Sequence, residues 1–161
     1  STLNIDWILQ IAGDVLNSQN AGVSREVLLG QMDKWVREAA PATLIYQPYI
    51  SEAGERGPFV DGNARAGFVG LSSGHHFADL ARGVFEGLGF AARDCYTATG
   101  TIPPEVRVTG GAARSGSVRK TLGACIGADM RPSSREEAGA AGASCGLGAI
   151  VPLPSGKVRN G

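Results

Sequence analysis

VTGGAARSGSVRK, residues 108–120, decides how this chain is read. A short apolar, β-branched run ends in two adjacent glycines, small residues follow, and a helical pattern begins. VRVTG, residues 106–110, reads as a strand. The helix is expected over about 115–127, carrying Val118, Leu122, Cys125 and Ile126. Gly110 and Gly111 therefore sit where a strand hands over to a helix. Either the turn needs backbone angles that glycine adopts most easily, or a ligand approaches the backbone there. The second case would suit a nucleotide, because a bare backbone and the N–H groups of a helix start can receive one. The usual phosphate fingerprints, G-x-x-x-x-G-K-[ST] and G-x-G-x-x-G, are both absent. The pattern alone leaves a structural turn and a nucleotide cradle open.

Working outward, ADMRPS (128–133) reads as a further short strand. SREEAGAAGASCGLGAI (134–150) reads as a helix capped by Ser134, with Glu136 and Glu137 near its positive end and small residues suited to close packing. LPSGKVRNG reads as a frayed tail. Upstream, residues 75–93 carry Phe77, Leu80, Ala81, Val84, Phe85 and Leu88 at helical spacing. Arg82 and Glu86 stand one turn apart, a pair worth a few tenths of a kcal/mol where exposed. Residues 51–74 read as one long connection, of a length often functional in a compact domain. Residues 43–50 read as a short strand ending near Pro48. Residues 24–39 read as a helix capped by Ser24 and stopped by Pro41, its stripe Val27, Leu28, Met32, Trp35 and Val36. Residues 3–16 read as an amphipathic helix with Leu3, Trp7, Ile8, Ile11, Val15 and Leu16 as its apolar side. The sum is an α/β pattern with only three strands, a thin sheet for 161 residues.

Composition narrows the function classes. Fifteen basic and fifteen acidic residues cancel, and no basic stripe interleaved with aromatics occurs, so nucleic acid is not an expected partner. No apolar run approaches the roughly 20 residues needed to span a bilayer, and no leader-like segment opens the chain. A cytoplasmic, non-membrane setting is expected. Cys95, Cys125 and Cys145 match no zinc spacing and read as small buried hydrophobes in a reduced compartment. Glycine supplies 24 of 161 residues, about twice the usual share of roughly 7%, which points to tight turns and close backbone packing. His75 and His76, being adjacent, do not share a helix face and make poor joint metal ligands. They read as a solvated helix start, with a ligand contact as the alternative. Glu55-Arg56 reads as an exposed pair of small energetic weight. The roles of Glu55, Arg56, His75 and His76 stay open. No Ser-His-Asp, Cys-His or paired-carboxylate arrangement can be argued from spacing.

Four blocks, taken in order, resemble the C-terminal part of the FGGY family of carbohydrate kinases. These are NIDWIL (4–9), QPYISEAGERGP (47–58), AGFVGLSSGHHFADLARGVFEG (66–87) and VTGGAARSGSVRKTLGACIGADMRPSSREEAGAAGAS (108–144). They resemble, respectively, the helix after the phosphate-binding hairpins, the P-Y-L-x-G-E-R-x-P loop, the R-A-x-x-E-G signature and the adenosine-binding Gly-Gly segment. Glu52-Ala53 is inserted relative to that pattern, Gly83 stands where Ala or Ser is usual, and Cys145 where Ala is commoner. The resemblance implies a partial ribonuclease H-like domain of the actin/hexokinase superfamily, helix-rich with a small sheet and lacking its leading strands. It implies one domain over 1–152 and a flexible tail over 153–161. It implies an ATP-dependent sugar or polyol kinase whose cofactors are ATP and Mg²⁺. The catalytic aspartate, most of the magnesium site and the sugar contacts would lie outside this chain, and the intact kinase could form a homodimer. By resemblance, Gly110, Gly111, Ala112 and Ser115 would line the adenosine, with Asp6 on the opposite wall and no metal ligand or catalytic residue in this chain. The other readings are a non-catalytic interaction domain with Gly110-Gly111 as a turn only, and another actin–hexokinase member, against which the G-E-R-x-P loop argues.

Overall fold

The computed structural model describes residues 2–133. The expected helix from Ser134, Cys145 and the tail lie outside the described residues. The order is α1 (Thr2–Asn17), α2 (Arg25–Glu38), β1 (Ile45–Gln47), β2 (Gly67–Val69), α3 (Phe77–Ala98), β3 (Glu105–Val108), α4 (Gly111–Arg114), α5 (Gly116–Ile126) and β4 (Asp129–Pro132). Strands β1 and β2 pair antiparallel, Tyr46 opposite Phe68. Strands β3 and β4 pair in parallel, Val106 opposite Met130 and Val108 opposite Pro132. Two parallel strands require a crossover, and here α4 and α5 supply it. The Gly110-Gly111 turn therefore opens the crossover of a βαβ unit.

Helix α3 is the central element, touching α2, α5 and β1. Ile8, Leu9, Leu28, Met32, Val36, Tyr46, Ala81, Val84, Phe85 and Val118 form the core. Glycine lets α3 approach its neighbours. A Cβ on Gly87 would stand 2.3 Å from the Tyr46 carbonyl oxygen, and one on Gly89 would stand 2.6 Å from Cys125 Cβ. The close packing expected from glycine content is present at these positions.

Five expectations need correction. Residues 51–74 are not one uninterrupted connection: they contain β2, and four strands in two sheets are described where three were expected. A three-residue strand flanked by glycine gives too short an alternation to register. In α1 the buried positions are Asn4, Ile8, Leu9 and Gly13, whereas Leu3, Ile11, Val15 and Leu16 are exposed. The helix is turned so that the Tyr46 hydroxyl donates to Asn4 Oδ1 at 2.7 Å, which a purely apolar count misses. Val27, expected on the buried stripe of α2, is likewise exposed, while its neighbour Leu28 turns into the core. Cys95 is exposed while Cys125 is buried; Cys95 lies in the last turns of α3, past its packed middle. Finally, Arg82 and Glu86 are not a surface pair, their side chains being only 17% and 10% exposed.

That pair ties α3 to α2 and to the segment that follows it. Arg82 Nε donates to Glu86 Oε1 at 2.7 Å. Arg82 Nη1 donates to the carbonyls of Val36 and Ala39 at 2.8 and 3.1 Å. These are carbonyls at the end of α2, which a helix terminus leaves without helical partners. The Ala42 N–H donates to the Glu86 carboxylate at 3.1 Å. Every buried side-chain polar atom among the described residues has a partner.

Candidate nucleotide-binding wall

Gly110 adopts φ 75° and ψ −155°, a region that residues with a Cβ adopt only under strain. Among the described residues, nothing lies within 4 Å of where its Cβ would be. Open space beside a glycine held at such angles is what close approach of a ligand to the backbone requires. Gly111 begins the four-residue α4, which contains Ala112, and Ala113 N–H donates back to the Gly110 carbonyl at 3.1 Å.

Ser115 closes α4 and caps α5, accepting from Val118 N–H at 3.1 Å. Its hydroxyl donates to Asp33 Oδ1 on α2 at 2.6 Å. The same oxygen accepts from Ser117 N–H at 2.9 Å. Two of the N–H groups orphaned at the start of α5 are thus satisfied by protein, one by Ser115 and one by Asp33. The Ser115 hydroxyl and the Ser117 amide hold the Asp33 carboxyl below its ordinary value, so it is a carboxylate at neutral pH. The Arg119 guanidinium braces the turn from below by donating to the Ala113 carbonyl.

These facts limit what the turn can hold. At the α5 N-terminus one amide is taken by the Asp33 carboxylate and one by the Ser115 hydroxyl, so it is unfit for a phosphate, which needs those amides free and positive. It remains fit for an uncharged group such as a nucleoside base or sugar lying against Gly110. Gly110, Gly111, Ala112 and Ser115 lie together on the β3–α4–α5 crossover. Asp6 is elsewhere on α1, ion-paired with Arg25 at the start of α2. Arg25 and Asp33 are separated by about 12 Å along α2, at 1.5 Å rise per residue. The two expected walls are therefore joined through one helix rather than in contact. A groove of about 760 Å³ lies along α5 and β4, with Gly116, Lys120, Ala124 and Asp129 among its walls. It does not take in Gly110 or Ser115.

The open residues of the sequence acquire structural roles. Glu55 exchanges main-chain hydrogen bonds with Asp61 at 2.9 and 3.0 Å. Its side chain accepts from the N–H groups of Arg56 and Gly57 at 2.7 and 3.1 Å. Gly54, at φ 74°, lies where a Cβ would meet the Asp61 carbonyl at 2.1 Å. The G-E-R-x-P loop is thus folded on itself. Its peptide bond between Gly57 and Pro58 is cis. His75 spans Ser72 and the Thr43 carbonyl, its Nε2 lying 3.2 Å from that oxygen. His76 precedes α3, and its N–H donates to Asp79 at 2.8 Å. Among the described residues no group of three or more His, Cys, Asp or Glu side chains could hold a metal ion. No described helix is long and apolar enough to cross a membrane. Asp33 is the site residue that sequence reasoning missed. A lone aspartate inside an ordinary amphipathic helix gives no signal of a partner 82 positions away.

Comparison with known proteins accords with this geometry. Residues 2–149 match the FGGY family of carbohydrate kinases, C-terminal domain. The chain is 56% identical over 144 residues to an erythritol kinase of Brucella abortus, covering 89% of this chain and 28% of that protein. It is 34% identical over 112 residues to a xylulose kinase of Escherichia coli, covering 68% of this chain and 23% of that protein. It therefore spans about a quarter of the length of these relatives. A xylulose kinase structure from Rhodospirillum rubrum superposes with a TM-score of 0.66 over 94% of this chain and 30% of its own, at 23% identity, which speaks to fold alone. A ligand-bound xylulose kinase from Lactobacillus acidophilus superposes with a TM-score of 0.63 over 83% of this chain and 26% of its own, at 25% identity.

Proposed function

We propose that this chain, which belongs to the FGGY family of carbohydrate kinases, forms the adenosine-facing wall of an ATP-dependent sugar or polyol kinase. The observation that carries the reading is Gly110, held at φ 75° at the end of β3 with space beside it that none of the described residues fills. The adenosine would lie against the backbone of Gly110, Gly111 and Ala112. Asp33 at the α5 start turns the triphosphate away from this wall. ATP supplies the phosphoryl group, and Mg²⁺ would neutralise charge developing on it.

The residues described here bind and orient; none stands as the base that takes the acceptor hydroxyl's proton. That aspartate, and the groups that hold the metal and phosphates, belong in this reading to the remainder of the full-length protein. Positioning is a large part of phosphoryl-transfer catalysis, so a wall that only orients the nucleotide still contributes to rate. The 56% identity to an erythritol kinase favours a polyol acceptor over a ketopentose. Steady-state assays of the full-length protein with ATP–Mg²⁺ test this directly. Erythritol should be phosphorylated with a higher kcat/KM than xylulose or glycerol. Turnover with none of the three, nor with a wider panel of sugars and polyols, would refute the kinase reading, and a preference for xylulose would refute the polyol assignment.

A further inference from the structure

We infer that Asp33 on α2 is a positioning residue for the nucleotide, acting through Ser115 and Ser117, and that Ser115 serves as part of this latch rather than as a direct contact to the base. The inference rests on the proposed adenosine wall and adds to it.

Four contacts carry it. Ser115 Oγ and Ser117 N both donate to one oxygen of Asp33, at 2.6 and 2.9 Å. The other oxygen accepts from Arg37 Nη1 at 3.1 Å. The Ser115 hydroxyl accepts from Val118 N–H at 3.1 Å. A serine hydroxyl has one proton to donate, and here Asp33 takes it. Ser115 is therefore not free to donate to an adenine nitrogen while the latch is made. Through these bonds α2 fixes the exit of α4, and with it the Gly110–Arg114 segment against which the nucleoside would lie. The bonds from Ser115 and Ser117 to Asp33 are partly buried and charge-assisted, a combination stronger and more directional than a neutral surface contact. The Arg119 guanidinium on the Ala113 carbonyl holds the same segment from α5, so the turn is clamped from two sides.

The test is a double-mutant cycle in the full-length protein, reading ATP KM, acceptor KM and kcat, with ADP affinity by calorimetry. Asp33→Ala and Ser115→Ala should each raise ATP KM and ADP Kd about tenfold, equivalent to about 1.4 kcal/mol. Acceptor KM and kcat should move less than twofold. The double variant should be no worse than either single, because one latch is removed twice. Asp33→Asn, which keeps an acceptor oxygen in place, should give a smaller rise of about threefold and remains informative should the alanine variant fail to fold. Additive losses, or a loss in Ser115→Ala with Asp33→Ala and Asp33→Asn at wild-type values, would overturn the inference and make Ser115 a direct contact. Gly110→Val separates the two levels. If it binds ADP as the wild type does, the adenosine wall itself is wrong. If it abolishes binding while Asp33 variants bind normally, only the latch is wrong.

Discussion

At Gly87 the α3 backbone passes so near β1 that a Cβ would stand 2.3 Å from the Tyr46 carbonyl oxygen and 3.1 Å from its carbon. Neither atom can move without displacing the strand. Gly87→Ala should therefore destabilise the fold by about 2 kcal/mol, as overpacking in a tight core does, with the denaturant midpoint as the readout. Gly83, one turn earlier, differs: its Cβ would meet Leu44 Cδ1, the end of a side chain that can rotate. Relief of the helical glycine penalty offsets part of the clash, so Gly83→Ala should change stability by less than about 1 kcal/mol. Reactivity also divides by residue. Burial pushes the Cys125 thiol up to about 11, aided by the nearby Glu86 carboxylate. At neutral pH, iodoacetamide should label exposed Cys95 well before Cys125, as mass spectrometry of timed aliquots would show; equal rates would contradict the burial of Cys125.

Among elements, the join between α2 and α3 is the informative one. Arg82 and Glu86 satisfy the terminal carbonyls of α2 and the Ala42 N–H from within α3. Removing one partner leaves a buried charge uncompensated. Glu86→Ala should lose about 3 kcal/mol, whereas Glu38→Ala, which breaks an exposed pair with Lys34, should lose a few tenths. Similar losses would mean that the Arg82–Glu86 pair is no more than a surface contact. Sequence made these helices legible because local chemistry marks them. Ser24 caps where expected, and the apolar spacing of α3 matches its buried side. The pairing of Asp33 with Ser115, the burial of Glu86 and the rotation of α1 onto Tyr46 were not legible. Each depends on which surface another element presents, and helical periodicity records only that a side is apolar. The Gly-Gly stretch was readable as a strand-to-helix turn, and its order among the other blocks pointed to the family. Which of its side chains were already engaged could be seen only once α2 was in place.

For the molecule as a whole, burial of weak acids, Cys125 and Tyr46 foremost and Tyr49 with them, lowers stability at alkaline pH. Cys125 moves from 9.0 up to about 11, and burial carries Tyr46 from 10.0 up to about 12. Above pH 9 the unfolded chain releases protons that the folded chain retains, so folding stability is full below that pH and falls as pH rises through the window from 9 to 12. Cys125→Ala should flatten the first part of that fall in urea titrations run at successive pH values, even if it lowers stability at neutrality. The molecule also divides its labour. Helix α2 links α1 to the β3–α4–α5 crossover through Arg25–Asp6 and Asp33–Ser115. The crossover in turn presents Gly110 to space that none of the described residues fills. The central claim is that adenosine lies on this turn, and hydrogen–deuterium exchange of the full-length protein with and without ADP locates the nucleotide most directly. ADP should slow exchange in peptides spanning residues 108–120 and leave the 49–62 loop unchanged. Protection elsewhere, with 108–120 exchanging as in the free protein, would contradict the account.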